Sequence, residues 1–270
     1  MINPELSKKI IDENIKVHTF EAKVYRQIHP EVYNWYQQLL IRKDLKKIFD
    51  LNHYQTVLDV GCGTGNITLK LLRHRPAIDA VDLSQEMLEV LRIELQKVRR
   101  EKDVRFFKME IEAFIQDCKK KYDLITMSSV LHHFPDYLRV LQKLCSLLNP
   151  RGILYVTHEP CGQYHLLREK GLLKKLLKKI DEELYDLFYH KRIRKISAYY
   201  KNLPVRDCSY SDYHYFQGFQ EEQVKQELLR SGLKIIQYHP FCSELNFGLS
   251  NLFDTIFLKT QSHFQIIAQK

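Results

Sequence analysis

Short runs of branched apolar residues alternate along much of the chain with longer stretches whose apolar positions recur every three or four residues. That rhythm predicts buried parallel strands separated by amphipathic helices, an α/β chain. The first run, Val57-Leu58-Asp59-Val60, predicts a strand that ends in a glycine at every second position: Gly61, Gly63 and Gly65. Asn66 to Leu72 then reads as the first turns of a helix. Further strands are predicted over 77–81, 104–107, 123–127 and 153–157, the last entered through an Asn149-Pro150-Arg151-Gly152 turn. A helix over 84–100 has Ser84 as a suitable N-cap and Glu86 near its positive end. Towards the end, a helix opens at Gln220-Glu221-Glu222 and closes at Gly232. Strands follow at 233–238 and 264–268, with 247–258 read as a helix or a pocket-lining loop.

Two regions depart from this alternation. Residues 4–50 read as helical: a first helix opens at Pro4-Glu5 and carries Leu6, Ile10, Ile11 and Ile15, and a second runs from Pro30 through Ile48. Val17 to Tyr25 lies between them. Residues 162–219 separate the fifth strand from the later helix. Here Leu166, Leu173, Leu176, Leu177, Ile180, Leu184, Leu187 and Phe188 form an apolar stripe, opposite Arg168, Lys170, Lys174, Lys175, Lys178 and Lys179. Aromatic residues crowd the same region: Tyr185, Phe188, Tyr189, Tyr199, Tyr200, Tyr210, Tyr213, Tyr215, Phe216 and Phe219.

Charge sharpens the reading of that region. Residues 165–206 hold twelve Lys and Arg against five Asp and Glu, so a surplus of seven out of the chain's +9 sits there. The segment is either a lid whose basic face stands in water, as charge runs ordinarily do, or a docking surface for anionic lipid or RNA phosphate. No run approaches the ~20 apolar residues of a membrane span, and the first residues lack the apolar core of a secretory signal. The six cysteines contain no C-x-x-C pair to suggest zinc or a redox couple. They read as free thiols of a cytoplasmic protein, with no metal expected.

The candidate chemistry starts at the glycine loop, because strand, glycines and helix N-terminus together cradle a nucleotide. The spacing is not the G-x-G-x-x-G of a dinucleotide site. Asp59-x-Gly61-x-Gly63-x-Gly65 instead resembles motif I of the class I S-adenosylmethionine-dependent methyltransferases. Asp82-Leu83-Ser84-Gln85-Glu86-Met87-Leu88 is similar to that family's post-I motif, and Glu110-Ile111 stands where the family places an adenine contact. Ser129-Val130-Leu131-His132-His133-Phe134-Pro135-Asp136 resembles motif IV of members that act on small molecules. The N-P-P-Y or D-P-P-Y of enzymes that methylate base amines is absent. The resemblance covers about residues 55–160.

This resemblance implies a Rossmann-like seven-stranded sheet of order 3-2-1-4-5-7-6 with the last strand antiparallel. It divides the chain into a helical N-terminal lid (1–50), a cofactor-binding core (51–161), a helical substrate-lid insertion (162–219) and the C-terminal part of the core (220–270). It implies S-adenosyl-L-methionine as cofactor. Asp59 with Gly61, Cys62, Gly63 and Gly65 would hold the methionine portion, Asp82 the ribose, and Glu110 (or Glu112) with Ile111 the adenine. Leu83, Met87 and Ser128 complete the cofactor contacts. Tyr25 either touches the methionine end from the lid or packs the N-terminal helix on the core.

A sulfonium methyl needs an acceptor held about 3 Å away on axis in a site drained of water. For a hydroxyl or protonated amine, a general base helps. The candidates are His133 first, then His132 and His158, each with a packing or capping role as the alternative. His214 could also face the pocket. Cys161 reads as a buried thiol rather than as a nucleophile. The expected function is methyl transfer to a small molecule, at oxygen first, with nitrogen or carbon open. The aromatic insertion suits an aromatic, lipophilic or cationic acceptor. The rivals are an RNA or tRNA methyltransferase and a cofactor-binding regulator without catalysis.

Overall fold

The computed structural model describes residues 3–162, 172–201, 208, 210, 211, 214 and 219–270, with backbone alone for 190–201. The seven strands are β1 (Thr56–Val60), β2 (Ala77–Asp82), β3 (Val104–Lys108), β4 (Tyr122–Ser128), β5 (Leu148–Pro160), β6 (Lys234–Phe241) and β7 (His263–Gln269). They form one sheet of order β3-β2-β1-β4-β5-β7-β6, and β7 runs antiparallel to both of its neighbours. The sheet is therefore the one implied by the motif resemblance.

Alternation along β1 explains its burial on both faces. Val57 joins an apolar layer with Ile78, Leu124, Leu91 and Leu95, whereas Leu58 joins the opposite layer with Ile125, Leu141 and Leu144. Each such fully buried side chain contributes roughly 1.5–3 kcal/mol. The register sets Asp59 beside Ala80 on one side and Thr126 on the other. Strand order reverses about β1, and open sheets leave a crevice at the carboxyl ends of the strands at such a point.

The helices are α1 (Pro4–Glu21), α2 (Tyr25–Ile28), α3 (Pro30–Tyr33), α4 (Trp35–Leu51), α5 (Thr68–Leu71), α6 (Gln85–Lys97), α7 (Ile111–Asp117), α8 (Tyr137–Ser146), α9 (Leu172–Lys201), α10 (Glu221–Arg230) and α11 (Gly248–Phe253). A π-helical turn, Asp254–Leu258, continues α11. Among the described residues no helix is long and apolar enough to cross a membrane.

Several local expectations change. The second N-terminal helix is broken at Asn34, whose side chain accepts from the Gln37 N–H and so starts α4 afresh. The segment expected between the two helices is largely helical, because α1 continues to Glu21 and carries His18. The helix after the glycine loop is only one α-turn followed by a 3₁₀ turn, Leu72–His74. It stops at Arg75, which takes φ +57° ahead of Pro76, where an α conformation would meet the proline ring. β5 is longer than 153–157: the expected turn at 149–152 pairs with the chain end, Arg151 N–H donating to Lys270 O and Lys270 N–H to Gly152 O. The register between β5 and β7 slips between Val156 and Glu159, where His158 takes φ +57°. This irregularity re-aims Glu159.

The apolar stripe of α9 does not face inward. Leu173, Leu176, Ile180 and Leu187 are 42–76% exposed. The helix is anchored by a polar residue instead: the buried Asp181 carboxylate accepts the backbone N–H groups of Asn246 and Phe247, both at 2.8 Å. Two donors ahead of α11 are satisfied in this way, and Phe188 stacked on Phe247 at 5.6 Å and Lys174 3.5 Å from Glu244 hold α9 to the same segment. Leu166, Arg168, Lys170 and the side chains of Tyr199, Tyr200, Tyr213, Tyr215 and Phe216 lie outside the described residues.

Candidate active site

A cavity opens at the carboxyl ends of β1, β2 and β4, with about 1160 Å³ of empty space including its mouth. The glycine loop forms its floor. A Cβ on Gly61 would lie 2.2 Å from Val130 Cγ2, so the bare backbone lets the turn after β4 close down on the loop. Gly63, at φ +50°, meets nothing within 4 Å of its missing Cβ, and it lines the open cavity. Gly65 differs from the other two. It does not line the cavity, and a Cβ there would lie 2.4 Å from Leu91 on α6. Its smallness serves packing.

Two carboxylates fix the loop. Asp59 is buried, accepts the Thr68 hydroxyl, and accepts that of Thr126 at 2.7 Å. Burial pushes its pKa up to about 6, against the pull of these hydrogen bonds. Asp59 thus binds β1 to β4 and α5 while one edge faces the cavity. Asp82 Oδ2 accepts the Gly63 N–H at 2.8 Å, and Oδ1 accepts the Ser84 N–H at 2.9 Å. Burial raises its pKa, opposed by those N–H groups and by His18. Leu83, Met87, Glu110, Ile111, Glu112, Cys62 and Ser128 also line the cavity. Both candidate adenine acceptors therefore reach it.

The roof comes from the N-terminal helices. Tyr25 lines the cavity and packs on His29 at 4.4 Å between ring centroids. His29 lies 2.9 Å from Glu31 and 3.5 Å from Glu21. Burial alone would lower its pKa, but the two carboxylates hold it up at about 10. The Tyr33 hydroxyl lies 3.2 Å from Thr64 Oγ1, tying the roof to the glycine loop. Asn14 and His18 line the cavity from α1, and Asn14 Oδ1 and His18 Nδ1 are buried with no hydrogen-bond partner among the described residues. Sequence reasoning passed over both, although two polar residues one turn apart beside Ile11 interrupt an apolar stripe.

The three histidine candidates separate. Only His133 lines the cavity. Its Nδ1–H donates to the Ser211 carbonyl at 2.6 Å, which leaves Nε2 as the nitrogen carrying the lone pair. His18 meets its ring edge-on at 5.4 Å. His132 is turned away: its Nδ1–H donates to Glu159 at 2.7 Å. The same fully buried carboxylate accepts the N–H groups of Val130, Leu131 and His132 at 2.8, 2.9 and 3.2 Å. Burial would raise the Glu159 pKa, but His132 and these donors hold it below the ordinary value, so it is ionised. His158 is buried against Gln37 and Thr157, outside the cavity, with its pKa lowered to about 3 by burial and by His263 and Lys70. His214 also stays outside, donating from Nε2 to the Pro135 carbonyl at 2.9 Å.

Among the described residues of 162–219 none lines the cavity, so the expected aromatic wall is not built by Tyr185, Phe188, Tyr189 or Tyr210. Phe219 is buried against Tyr137 and Phe264. The aromatic lining comes from Tyr25, Tyr33 and Phe134. Cys161 is buried beside Glu221, and both push its thiol up, away from a reactive thiolate. Among the described residues no His, Cys, Asp or Glu cluster could hold a metal.

The donor set suits a nucleoside with a charged tail. Asp82 can accept from a ribose diol, Gly63 leaves room where any side chain would intrude, and Asn14 Oδ1 on α1 has hydrogen-bonding capacity left for a polar ligand. Comparisons agree with this geometry. A malonyl-[acyl-carrier protein] O-methyltransferase of Halalkalibacterium halodurans is 35% identical over 133 residues, 47% of this chain and 48% of that protein. A ubiquinone biosynthesis O-methyltransferase of a Shewanella species is 31% identical over 99 residues, 37% of this chain and 41% of that protein. The matched segments thus span less than half the length of these curated relatives. The structure of magnesium protoporphyrin IX methyltransferase from Synechocystis PCC 6803, solved with bound SAM, shares the fold at TM-score 0.56 and 14% identity, covering 96% of this chain and 97% of that one. The family model described as a methyltransferase domain matches residues 33–238, most of the chain, and the chain belongs to that family.

Proposed function

We propose that the protein transfers a methyl group from S-adenosyl-L-methionine to a small-molecule acceptor, with oxygen as the methylated atom. The observation that carries this reading is the meeting, in one cavity, of Asp82 bonded to Gly63 and of His133 with Nδ1 tied to Ser211. The cofactor supplies a methyl group already activated on a sulfonium. The chain then has to bind, align and keep water out. Asp82 takes the ribose hydroxyls, Glu110 or Glu112 with Ile111 meets the adenine, and the loop from Asp59 to Gly63 holds the methionine end under Tyr25. Leu83, Met87 and Ser128 contact the same ligand, and Gly65 acts through packing.

His133 Nε2 takes the proton of the acceptor hydroxyl as the carbon–oxygen bond forms; the Ser211 carbonyl keeps that lone pair on Nε2. The apolar lining of Ile11, Val32, Phe134 and Pro135 favours an aromatic or lipophilic acceptor. In this reading residues 1–50 are the lid, 51–161 and 220–270 the core, and 162–219 a cover over the entrance; the six thiols suit a cytoplasmic enzyme. The surplus of cations in 165–206 supports RNA as an alternative acceptor. Incubation with cofactor carrying a labelled methyl group and with fractionated cell extract tests the proposal. Label in small molecules supports it; label confined to RNA, or no turnover at all, contradicts it.

A further inference from the structure

One face of α1 lines the cavity, with Ile11, Asn14 and His18 at steps of three and four. Asn14 is only 4% exposed, and its Nδ2 donates to the Ile10 carbonyl at 2.9 Å. That bond settles the orientation of the amide, since the reverse would set oxygen against oxygen. Oδ1 is the end left over, buried with no hydrogen-bond partner among the described residues. Burying an unpaired acceptor works against folding, and asparagine is a poor helix former. Such an orphan on a cavity wall points to a donor that arrives with a ligand.

Two ligands meet in the cavity, and position decides which of them Asn14 serves. The methionine end of the cofactor is provided for at the glycine loop. Asp59 offers its ammonium group a carboxylate. Asn66 Oδ1 accepts from Lys70 at 2.7 Å and from Gln38 at 3.1 Å, so its buried Nδ2, without a partner among the described residues, is the end that can meet the methionine carboxylate. Asn14 belongs to the other end. Its neighbour Glu13 accepts the Tyr210 N–H at 2.7 Å, and the Ser211 carbonyl, one residue on, accepts from His133 Nδ1 at 2.6 Å. His18, one turn from Asn14, meets the His133 ring edge-on at 5.4 Å. Asn14 thus stands on the wall beside the assigned base, where Ile11, Phe134 and Pro135 supply apolar lining.

We propose that Asn14 Oδ1 selects the methyl acceptor by taking a hydrogen bond from a second hydroxyl or amino group on the same aromatic ring as the hydroxyl that is methylated. The first hydroxyl gives its proton to His133 Nε2 while its oxygen takes the methyl group. The carbon–sulfur bond breaks, its electron pair stays on sulfur, and S-adenosylhomocysteine leaves. The second donor leaves unmodified. This inference rests on the methyl-transfer reading and narrows its acceptor to an aromatic with two donors.

Transfer of labelled methyl groups to phenol, catechol, resorcinol and hydroquinone tests the inference, because these probes differ in whether and where the ring carries a second donor. The parent chain is expected to use at least one of the three diols about tenfold more efficiently in kcat/KM than phenol. Asn14→Leu, similar in size but without the oxygen, should abolish that preference, mainly through KM. It should bind S-adenosylhomocysteine as tightly as the parent and melt no lower, since it removes an unpaired buried acceptor. Equal use of phenol and the diols by the parent would overturn the inference, as would a preference that survives in Asn14→Leu. S-adenosylhomocysteine binding weakened about tenfold in that variant would assign Asn14 to the cofactor instead. Lowered melting in both Asn14→Leu and Asn14→Ala would return Asn14 to a structural role. Label that enters small molecules of a cell extract but none of the four probes would remove this acceptor class and leave the methyl-transfer reading standing; label that enters neither would remove both.

Discussion

The carboxylate of Glu159, at the end of β5, lies 2.7 Å from Nδ1 of His132, on the turn after β4, and the same carboxylate accepts three consecutive backbone N–H groups of that turn. One buried anion therefore shapes the wall from which His133 enters the cavity. Glu159→Gln keeps the volume but removes the charge and turns one acceptor into a donor. The expected loss is about 2–4 kcal/mol of stability, as for a buried charged hydrogen-bond acceptor. Urea unfolding checks it; a loss within experimental error would show that the turn is held by other contacts.

Asp82→Asn should weaken S-adenosylhomocysteine by about tenfold or more, equivalent to roughly 1.4 kcal/mol, while the fold stays intact. The amide oxygen can still accept from Gly63, but its NH2 then faces the Ser84 N–H, and it cannot serve a ribose diol as a carboxylate does. Titration calorimetry beside a melting curve separates the two effects.

The base assignment predicts a split between kinetics and binding. His133→Ala should lower kcat by about 10²–10⁴-fold, the usual contribution of a general base, and leave cofactor affinity within a few-fold of the parent. His158→Gln should leave the acid limb of the pH–rate profile in place, because His158 lies outside the cavity. An unchanged kcat in His133→Ala would return that residue to a packing role.

His29 gives the lid a pH dependence with a defined sign. Its folded pKa of about 10 lies above the ordinary value of 6.5, so its ion pairs stabilise the roof fully below that ordinary value. The contribution is lost as pH rises through about 10. Limited proteolysis of the N-terminal 34 residues should accelerate across this alkaline range, and His29→Asn should flatten the response. Equal rates throughout would contradict it.

The glycines should respond differently to alanine. Gly65→Ala meets Leu91 at 2.4 Å and φ +88°, and is expected to cost roughly 1–3 kcal/mol of stability. Gly63→Ala has space around its Cβ, so its stability cost should be only about 1–2 kcal/mol from φ +50°. Its larger effect should be on cofactor affinity, since the added methyl enters the cavity.

Much of this was readable in advance because it is local. The strands follow from period and length, and Asp59, Asp82 and the glycines stand out through the motifs they share with the methyltransferase family. What escaped was set by partners distant in sequence. Nothing in period or spacing says that Asn34 would interrupt a helix, that Asp181 would dock α9 through residues 246–247, or that Glu159 would collect the N–H groups of 130–132. The sequence ranks His133 first among the histidines, but it shows only that they share one sheet edge and nothing of the partners that separate them. The backbone at His158, turned to φ +57°, withdraws that ring into the core and sends Glu159 to His132.

Titration of the purified chain with S-adenosylhomocysteine, run in parallel on Asp82→Asn, reaches the central claim most directly. Saturable one-to-one binding that weakens about tenfold in the variant is the expected result. A parent chain that gives no binding heat with either the methyl donor or its demethylated product would contradict it.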